Sequence, residues 1–379
     1  MGSSHMPGDI TIGIVTALAI EYAPVRKVLE GAHDQHMQGD QKLYCVGSVP
    51  SAAPDTPHQV VATQLTRDGT RDAAATVIGL VRSFPSVRTI MVSGIAAGIP
   101  DAGLGLGDIV SATEGVVDYS HLRVTGEGTE LRRPLGDVSA AVLDADNRLA
   151  EHEIHGHRPW LTTLATLERS NVAFRRPSGG ETTTVHRGAI GSADILLRDA
   201  ILRDGLAHRH RIIALEMEAS GVATAARLCG REFFVVRAIS DLADQKKDDR
   251  WHGHAAAAST AYLHALLGAL MPEISTPTRA GGNRNVDGLP RIVEALLGSR
   301  AVRDEHTRSQ LIDLLPAYIR SGVPYSSTPR IHVISIVSTC SGYPSGREAL
   351  LDSLCVLLGE DSPEFGALAA VIRQNWSRA

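Results

Sequence analysis

The sequence predicts an α/β domain built on one mixed sheet, followed by a small all-α bundle. Three observations carry this. Short apolar strands alternate with helical periodicities from Thr11 to Leu270, the pattern of a sheet covered by helices. The run from Ser275 to Gly288 then loses apolar periodicity and gathers Gly, Pro and Asn, as a linker does. Beyond it the apolar pattern is wholly helical. The boundaries that follow are residues 7–274 for the first domain, 275–288 for the linker and 289–379 for the bundle.

In chain order, Thr11 to Thr16 is a β-branched strand, and a helix carrying Glu21 near its start follows to about Leu29. Leu43 to Val49 and Gln59 to Gln64 read as strands, and an alanine-rich helix runs from about Asp72 to Arg82. Thr89 to Ser93 is a strand entering the small-residue turn Gly94-Ile95-Ala96-Ala97-Gly98, where backbone has room to approach a ligand. Another strand begins at Gly107-Asp108-Ile109-Val110-Ser111. The stretch from Ser120 to Thr184 is polar, with one helix expected near Val138 to Ala150. A strand follows from Val185 to Gly191, then a helix from about Asp194 to Leu206.

The chemistry concentrates between Ile212 and Asp241. The apolar run Ile212 to Leu215 ends in Glu216 and Glu218 around Met217; a helix intervenes; and Phe233 to Val236 ends in Arg237, Ser240 and Asp241. This predicts a strand–helix–strand unit with two parallel, buried strands. Ligand sites in such sheets lie at the carboxyl ends of strands, and carboxylates beside so much apolar surface point to chemistry. A last helix of the domain, about His254 to Leu270, follows a polar stretch containing Lys246, Lys247, Arg250 and Trp251. Past the linker, five short helices are expected in roughly ninety residues. The bundle has no cluster of candidate catalytic groups, which points to an interaction module.

Composition narrows the function classes. A formal charge of −5 argues against a nucleic-acid binder driven by bulk electrostatics. No apolar run approaches the length of a bilayer span, and no signal peptide is evident. Cys45, Cys229, Cys340 and Cys355 have no metal or redox spacing and read as reduced cysteines of a cytoplasmic protein. No metal or other cofactor is expected: His152, His155 and His157 match no standard ligand spacing. Met1 to Met6 looks like an expression-tag remnant and is set aside.

Four motifs in order carry a resemblance: Ile12-Gly13-Ile14-Val15-Thr16-Ala17 through Glu21; Ser93-Gly94 to Gly98 with Gly107-Asp108-Ile109-Val110; Glu216-Met217-Glu218-Ala219; and Arg237-Ala238-Ile239-Ser240-Asp241. With them the first domain resembles the nucleoside phosphorylase/nucleosidase superfamily, and within it the methylthioadenosine/S-adenosylhomocysteine nucleosidases. The bundle, with Arg308, Leu314-Leu315-Pro316 and Gly346, resembles the effector-associated, death-like domains that tether bacterial conflict-system enzymes to partners. The first resemblance implies a three-layer α/β/α sandwich and cleavage of an N-ribosidic bond. By position it makes Glu21 the general base for water, Asp241 the acid at N7 of the purine, and Glu218 the holder of ribose hydroxyls. Met217 would pack under the sugar, while Glu216 and Arg237 would order the acidic cluster and Ser240 would line the site.

The same resemblance implies a base pocket at Ser192 to Leu197, with Leu196 in place of a stacking aromatic and Leu197 beside it. Phosphorylases of this superfamily hold phosphate with an arginine and a serine, where this chain has Val92 and Ile95. Water is therefore the expected nucleophile, with a phosphorylase or a catalytically silent nucleotide sensor as alternatives. Trp251 falls where relatives place an aromatic near the 5′ end, and Lys246, Lys247 and Arg250 surround it in sequence. Those cations suggest a 5′ phosphate chain, and so an adenine nucleotide such as AMP or ATP. A homo-oligomer and a protein partner for the bundle are the expected assemblies.

Overall fold

The computed structural model describes residues 9–125, 128–131, 138–177, 182–246, 248–272, 289–320, 322–323, 328–341, 343 and 345–376. The chain divides into two compact units, Met1–Ile274 and Ser275–Ala379. The linker expected at 275–288 lies outside the described residues.

The strands of the first unit are β1 (Ile12–Thr16), β2 (Glu30–His36), β3 (Leu43–Val49), β4 (His58–Gln64), β5 (Thr89–Gly98), β6 (Ile109–Ser111), β7 (Val116–Asp118), β8 (Leu122–Thr125), β9 (Gly128–Leu131), β10 (Val185–Arg187), β11 (Ala189–Ser192), β12 (Ile212–Glu216) and β13 (Glu232–Asp241). Its helices are α1 (Ala19–Val28), α2 (Thr70–Ser83), α3 (Ala140–Ile154), α4 (Pro159–Ser170), α5 (Ala200–His210), α6 (Ala219–Leu228) and α7 (His252–Ala269). All the strands but the β8–β9 hairpin join one mixed sheet, ordered β10-β6-β13-β5-β1-β4-β3-β2, with β11, β12 and β7 branching from β5.

Side-chain alternation along β13 shows the layering. Phe234, Val236 and Ala238 pack on one face with residues of α1, α3, α4 and α7, including Trp160 and Tyr262. Phe233, Val235 and Ile239 pack on the other with Val77 and Leu80 of α2 and Val222 and Ala226 of α6. A period of two across a sheet buried on both sides yields the expected three-layer sandwich.

The central pairings set the site. β5 runs parallel to β1 over Thr89–Val92 and parallel to β13 over nearly its whole length. β1 ends there, leaving the far edge of β5 open. β12 fills it from the opposite direction, Ala214 facing Gly98 and Leu215 facing Ala97. The strand–helix–strand unit therefore differs from expectation: β12 and β13 are both buried, but β12 is antiparallel to β5 where β13 is parallel. The carboxyl ends of β12 and β13 consequently meet at the carboxyl-terminal part of β5 from two sides, with both Leu215 and Asp241 opposite Ala97.

Three local readings also change. The helix expected from Asp194 begins at Ala200, because Asp199 supplies the N-cap by accepting from Leu202 N–H at 3.0 Å, and residues 193–199 form a loop. The polar stretch before Thr184 hides a second helix, α4, with Pro159 in its first turn and Trp160, Leu164 and Leu167 buried. β2 is exposed along most of its length, so its sequence has no apolar alternation to mark it as a strand.

The second unit contains α8 (Leu289–Leu297), α9 (Glu305–Leu314), α10 (Ala317–Arg320), α11 (Pro329–Ser341), α12 (Gly346–Leu358) and α13 (Pro363–Asn375), with a 3-10 turn at Arg300–Val302. Five of these helices are nine residues or longer, and α10 is a single turn. They enclose a core of Ile292, Leu296, Leu311, Val333, Ile336, Leu350, Leu354 and Ile372. Arg308 is buried in this unit and donates from Nη1 to the Val302 carbonyl at 3.1 Å. Among the described residues no helix is long and apolar enough to cross a membrane. All four cysteines are free, Cys45 and Cys340 being buried.

Candidate active site

Four acidic side chains from three distant parts of the chain meet at the convergence of β5, β12 and β13. Glu21 lies in the first turn of α1, where a carboxylate meets unsatisfied backbone donors. Its Oε2 accepts from the N–H groups of Ala17 and Leu18, both at 2.8 Å, and its Oε1 accepts from Ile95 N–H at 2.8 Å. The helix start thus ties Glu21 to Gly94–Gly98, which is the last part of β5, paired with β13, and not the turn its small residues predict. Ser259 of α7 holds the same stretch, accepting from Gly94 N–H at 3.1 Å and donating to the Val236 carbonyl at 3.0 Å.

Arg237, with no exposed surface, is the hub. Its Nη2 donates to Glu216 and, at 3.0 Å, to Glu218 Oε2, while Nη1 lies 3.6 Å from Glu21 Oε1. Glu216 is also held by the start of α6, accepting from Glu218 N–H at 3.1 Å and Ala219 N–H at 2.9 Å. Three carboxylates around one guanidinium leave an excess of negative charge in a water-poor pocket, a state that favours holding a proton. The effect falls on Glu218: burial pushes it up to about 7, Glu216 and Glu21 add to the rise, and Arg237 and the Gly69 N–H oppose it. Arg237 itself stays firmly cationic beside Glu216, Glu218 and Glu21, despite its burial.

A cavity of about 280 Å³ joins these groups to Asp241, near the lower end of small-molecule sites. Glu21, Ile95, Leu196, Leu197, Glu216, Met217, Glu218, Ser240 and Asp241 all line it. Asp241 is 6% exposed; its Oδ1 accepts from Ala243 N–H at 3.0 Å and its Oδ2 from the Ser240 hydroxyl at 3.1 Å. The wall is mostly apolar, with carboxylates converging from β12, β13 and α1.

Other expected residues lie elsewhere. Gly94 is not in the lining; a Cβ there would overlap the Arg237 guanidinium and the Glu21 carboxylate, so the room it leaves is filled by the protein's own charges. Trp251 is also absent from the lining: it is buried against His254, ring centroids 5.6 Å apart, with the Arg176 guanidinium 5.6 Å from its ring centroid. Arg250 is exposed and pairs with Asp248 at 2.7 Å, because a turn brings these neighbours together. Lys246 is exposed and outside the lining, and Lys247 lies outside the described residues.

The polar residues that do line the cavity beyond the expected set are Asp68, Arg198, Asp249 and His252, with His252 Nε2 3.2 Å from Asp249 Oδ1. No sequence signal distinguishes them: Asp68, Arg198 and Asp249 each sit beside other charged residues in polar stretches, and His252 opens α7. Asp194 stands in the quoted Ser192 to Leu197 motif, yet its partner is Thr70, 124 positions away.

Residues 11–268 match the model of the phosphorylase superfamily, and residues 293–373 match that of effector-associated domain 2. A 5′-methylthioadenosine/S-adenosylhomocysteine nucleosidase of Mycobacterium tuberculosis is 30% identical over 276 residues, covering 69% of this chain and 98% of that protein. The ATP nucleosidase Cap17 of Escherichia coli is 26% identical over 267 residues, covering 67% of this chain and 50% of that protein. The chain spans half or less of the length of the first curated relatives it matches. In fold, the first unit is similar to the Neisseria meningitidis 5′-methylthioadenosine/S-adenosylhomocysteine nucleosidase solved with methylthio-immucillin-A, with a TM-score of 0.52, 20% identity, and 69% of this chain and 100% of that one covered.

Proposed function

The chain belongs to the phosphorylase superfamily, and on that premise we propose that its first domain hydrolyses the N-ribosidic bond of an adenine nucleoside or nucleotide. One observation carries the reading: a single apolar cavity lined by Glu21, Glu216, Glu218 and Asp241. Breaking the C1′–N9 bond puts positive charge on the sugar and electron density on the base. Carboxylates near the sugar stabilise the first, and a proton donor at N7 discharges the second. In this reading water attacks C1′, Glu21 takes its proton, and the bonding pair leaves with the purine as Asp241 protonates N7. Glu218, held by Arg237 and Gly69, binds ribose hydroxyls, while Met217 packs against the sugar and Leu196, Leu197 and Ser240 line the base side. Glu216 and Arg237 order the cluster. General acid–base assistance of this kind is worth on the order of 10²–10⁴-fold for each group.

Water is favoured over phosphate because Val92 is buried within β5 and the Ile95 side chain offers an anion nothing. The Arg198 guanidinium and the His252 imidazole line the cavity, where Lys246 and Arg250 do not, and they support a 5′ phosphate chain. The likeness to an ATP nucleosidase supports the same substrate class. On this reading the protein is a cytoplasmic conflict-system effector, self-associating and recruited to a protein partner through its second domain. Free cysteines suit that reducing compartment.

The test is product analysis after incubation with ATP, AMP, adenosine and methylthioadenosine, each with and without phosphate. Free adenine and a hydrolysed, 5′-phosphorylated ribose from ATP or AMP, independent of phosphate, is the expected result. Release only from methylthioadenosine removes the nucleotide reading, and release only with phosphate makes the domain a phosphorylase. No base release from any of the four removes the hydrolase.

A further inference from the structure

The loop at 193–199 does more than line the cavity. Asp194 turns away from it and accepts twice from Thr70: from the backbone N–H at 2.6 Å and from the hydroxyl at 2.8 Å. Thr70 opens α2, whose N-cap, Gly69, has no side chain with which to satisfy the first-turn donors. Asp194 therefore caps α2 from the far side of the sequence, and its negative charge suits that end of the helix. Gly69 has a φ of +106°, which a side chain would strain. In this conformation its N–H donates to Glu218 Oε1 at 3.1 Å, opposite the bond from Arg237 to Glu218 Oε2.

We propose that Asp194 is a positioning residue that, by clamping Thr70 and hence Gly69, fixes the orientation of Glu218 relative to the loop carrying Leu196 and Leu197. One element thereby sets the spacing between the wall for the base and the acid for the sugar. The proposal rests on the nucleosidase reading for its consequence in turnover, but not for the contact itself. The groups facing Glu218 are Glu21 from α1, Glu216 from β12 and Arg237 from β13, with Asp68, Asp241, Asp249, Arg198 and His252 around the same cavity. Glu218 also accepts from the Gly69 N–H, the donor next in sequence to the Thr70 that Asp194 holds. Losing it removes a donor that favours the charged carboxylate, so Glu218 takes up its proton at higher pH.

The experiment compares wild type, Asp194→Ala and Asp194→Asn in kcat/KM for adenine release across pH, and in the titration of Glu218 followed by carbon-13 NMR of labelled glutamate, assigned with Glu218→Gln. Asparagine keeps Oδ1 as acceptor for Thr70 N–H, can donate from its amide to the Thr70 hydroxyl oxygen so that both contacts persist, and caps helices about as well as aspartate. Asp194→Ala is expected to lower kcat/KM on the order of 10²-fold, the cost of a misplacement of about 1 Å, and to move the Glu218 titration to higher pH. Asp194→Asn should stay close to wild type in both. An alanine variant that melts earlier but keeps the wild-type kcat/KM and titration overturns the proposal, as does an asparagine variant as impaired as alanine. Should Asp194→Ala fail to fold, Thr70→Ala, which removes only the hydroxyl bond, must shift the titration in the same direction. A wild type without base release refutes the nucleosidase reading alone, because the titration still decides the role of Asp194.

Discussion

Replacing Arg237 with methionine, which keeps much of the side-chain volume and removes the charge, tests the electrostatic logic of the site. At the observed separations of 3.0 Å to Glu218 and 3.6 Å to Glu21, each attraction is ~5 kcal/mol at an effective dielectric of about 20. Those attractions offset the desolvation of Arg237 and its acids, so they are not net stability. Breaking a buried ion pair by removing one partner costs about 3–5 kcal/mol, because the remaining charges are left uncompensated. For a domain of this size that corresponds to a fall of roughly 6–20 °C in melting temperature.

The loss should depend on pH, in a direction the charges fix. Without Arg237 the three carboxylates repel one another with no cation to oppose them, and Glu218, already raised by burial, is pushed further above its unfolded value. A group raised in this way favours folding below its unfolded pKa and loses that contribution as pH rises through its folded pKa. Arg237→Met should therefore be near wild-type stability at pH 5 and most destabilised at pH 8. Calorimetric melts of both proteins at the two pH values make the comparison. An equal loss at both, or none at pH 8, would refute the idea that Arg237 compensates three buried carboxylates.

Three further outcomes follow from the same geometry. Asp241→Asn should retain the bond from Ala243 N–H and melt within a few degrees of wild type, while initial rates of adenine release fall by about 10²–10⁴-fold. Because burial raises Glu218, its carboxylate form becomes dominant only above about 7, so KM for the nucleoside should fall as pH rises through neutrality, and Glu218→Gln should flatten that dependence. Glu218 itself favours the folded state below its ordinary carboxylate range and loses that contribution as pH rises through about 7. Gly94→Ala should cost about 1–3 kcal/mol or more by overpacking, measured by urea titration, because its methyl group would meet Arg237 and Glu21 rather than a flexible neighbour.

Much of this protein is written locally. The unbroken apolar run Phe233 to Val236 marks a strand buried on both faces, and Glu216 and Asp241 are the last residues of the strands that aim them. The same holds for Glu21, whose backbone partners Ala17 and Leu18 are four and three residues away. Local pattern also separates the two domains, since helical periodicity replaces alternation after residue 288. What it lacks is information about pairs distant in the chain. Nothing near Ile212 says that β12 runs against β5, because burial of both faces looks the same in either direction. Nothing near Trp251 says that it packs on His254 under Arg176 rather than facing the cavity, or that Arg198 and His252 take the place expected of Lys246 and Arg250. Asp194 reads as an ordinary loop acid until folding carries it 124 positions to the open end of α2. Residue type and period determined which groups are buried and on which element they ride. Only tertiary packing, by choosing strand direction and bringing charges together where water is scarce, decided which of them meet and that burial raises Glu218 among them.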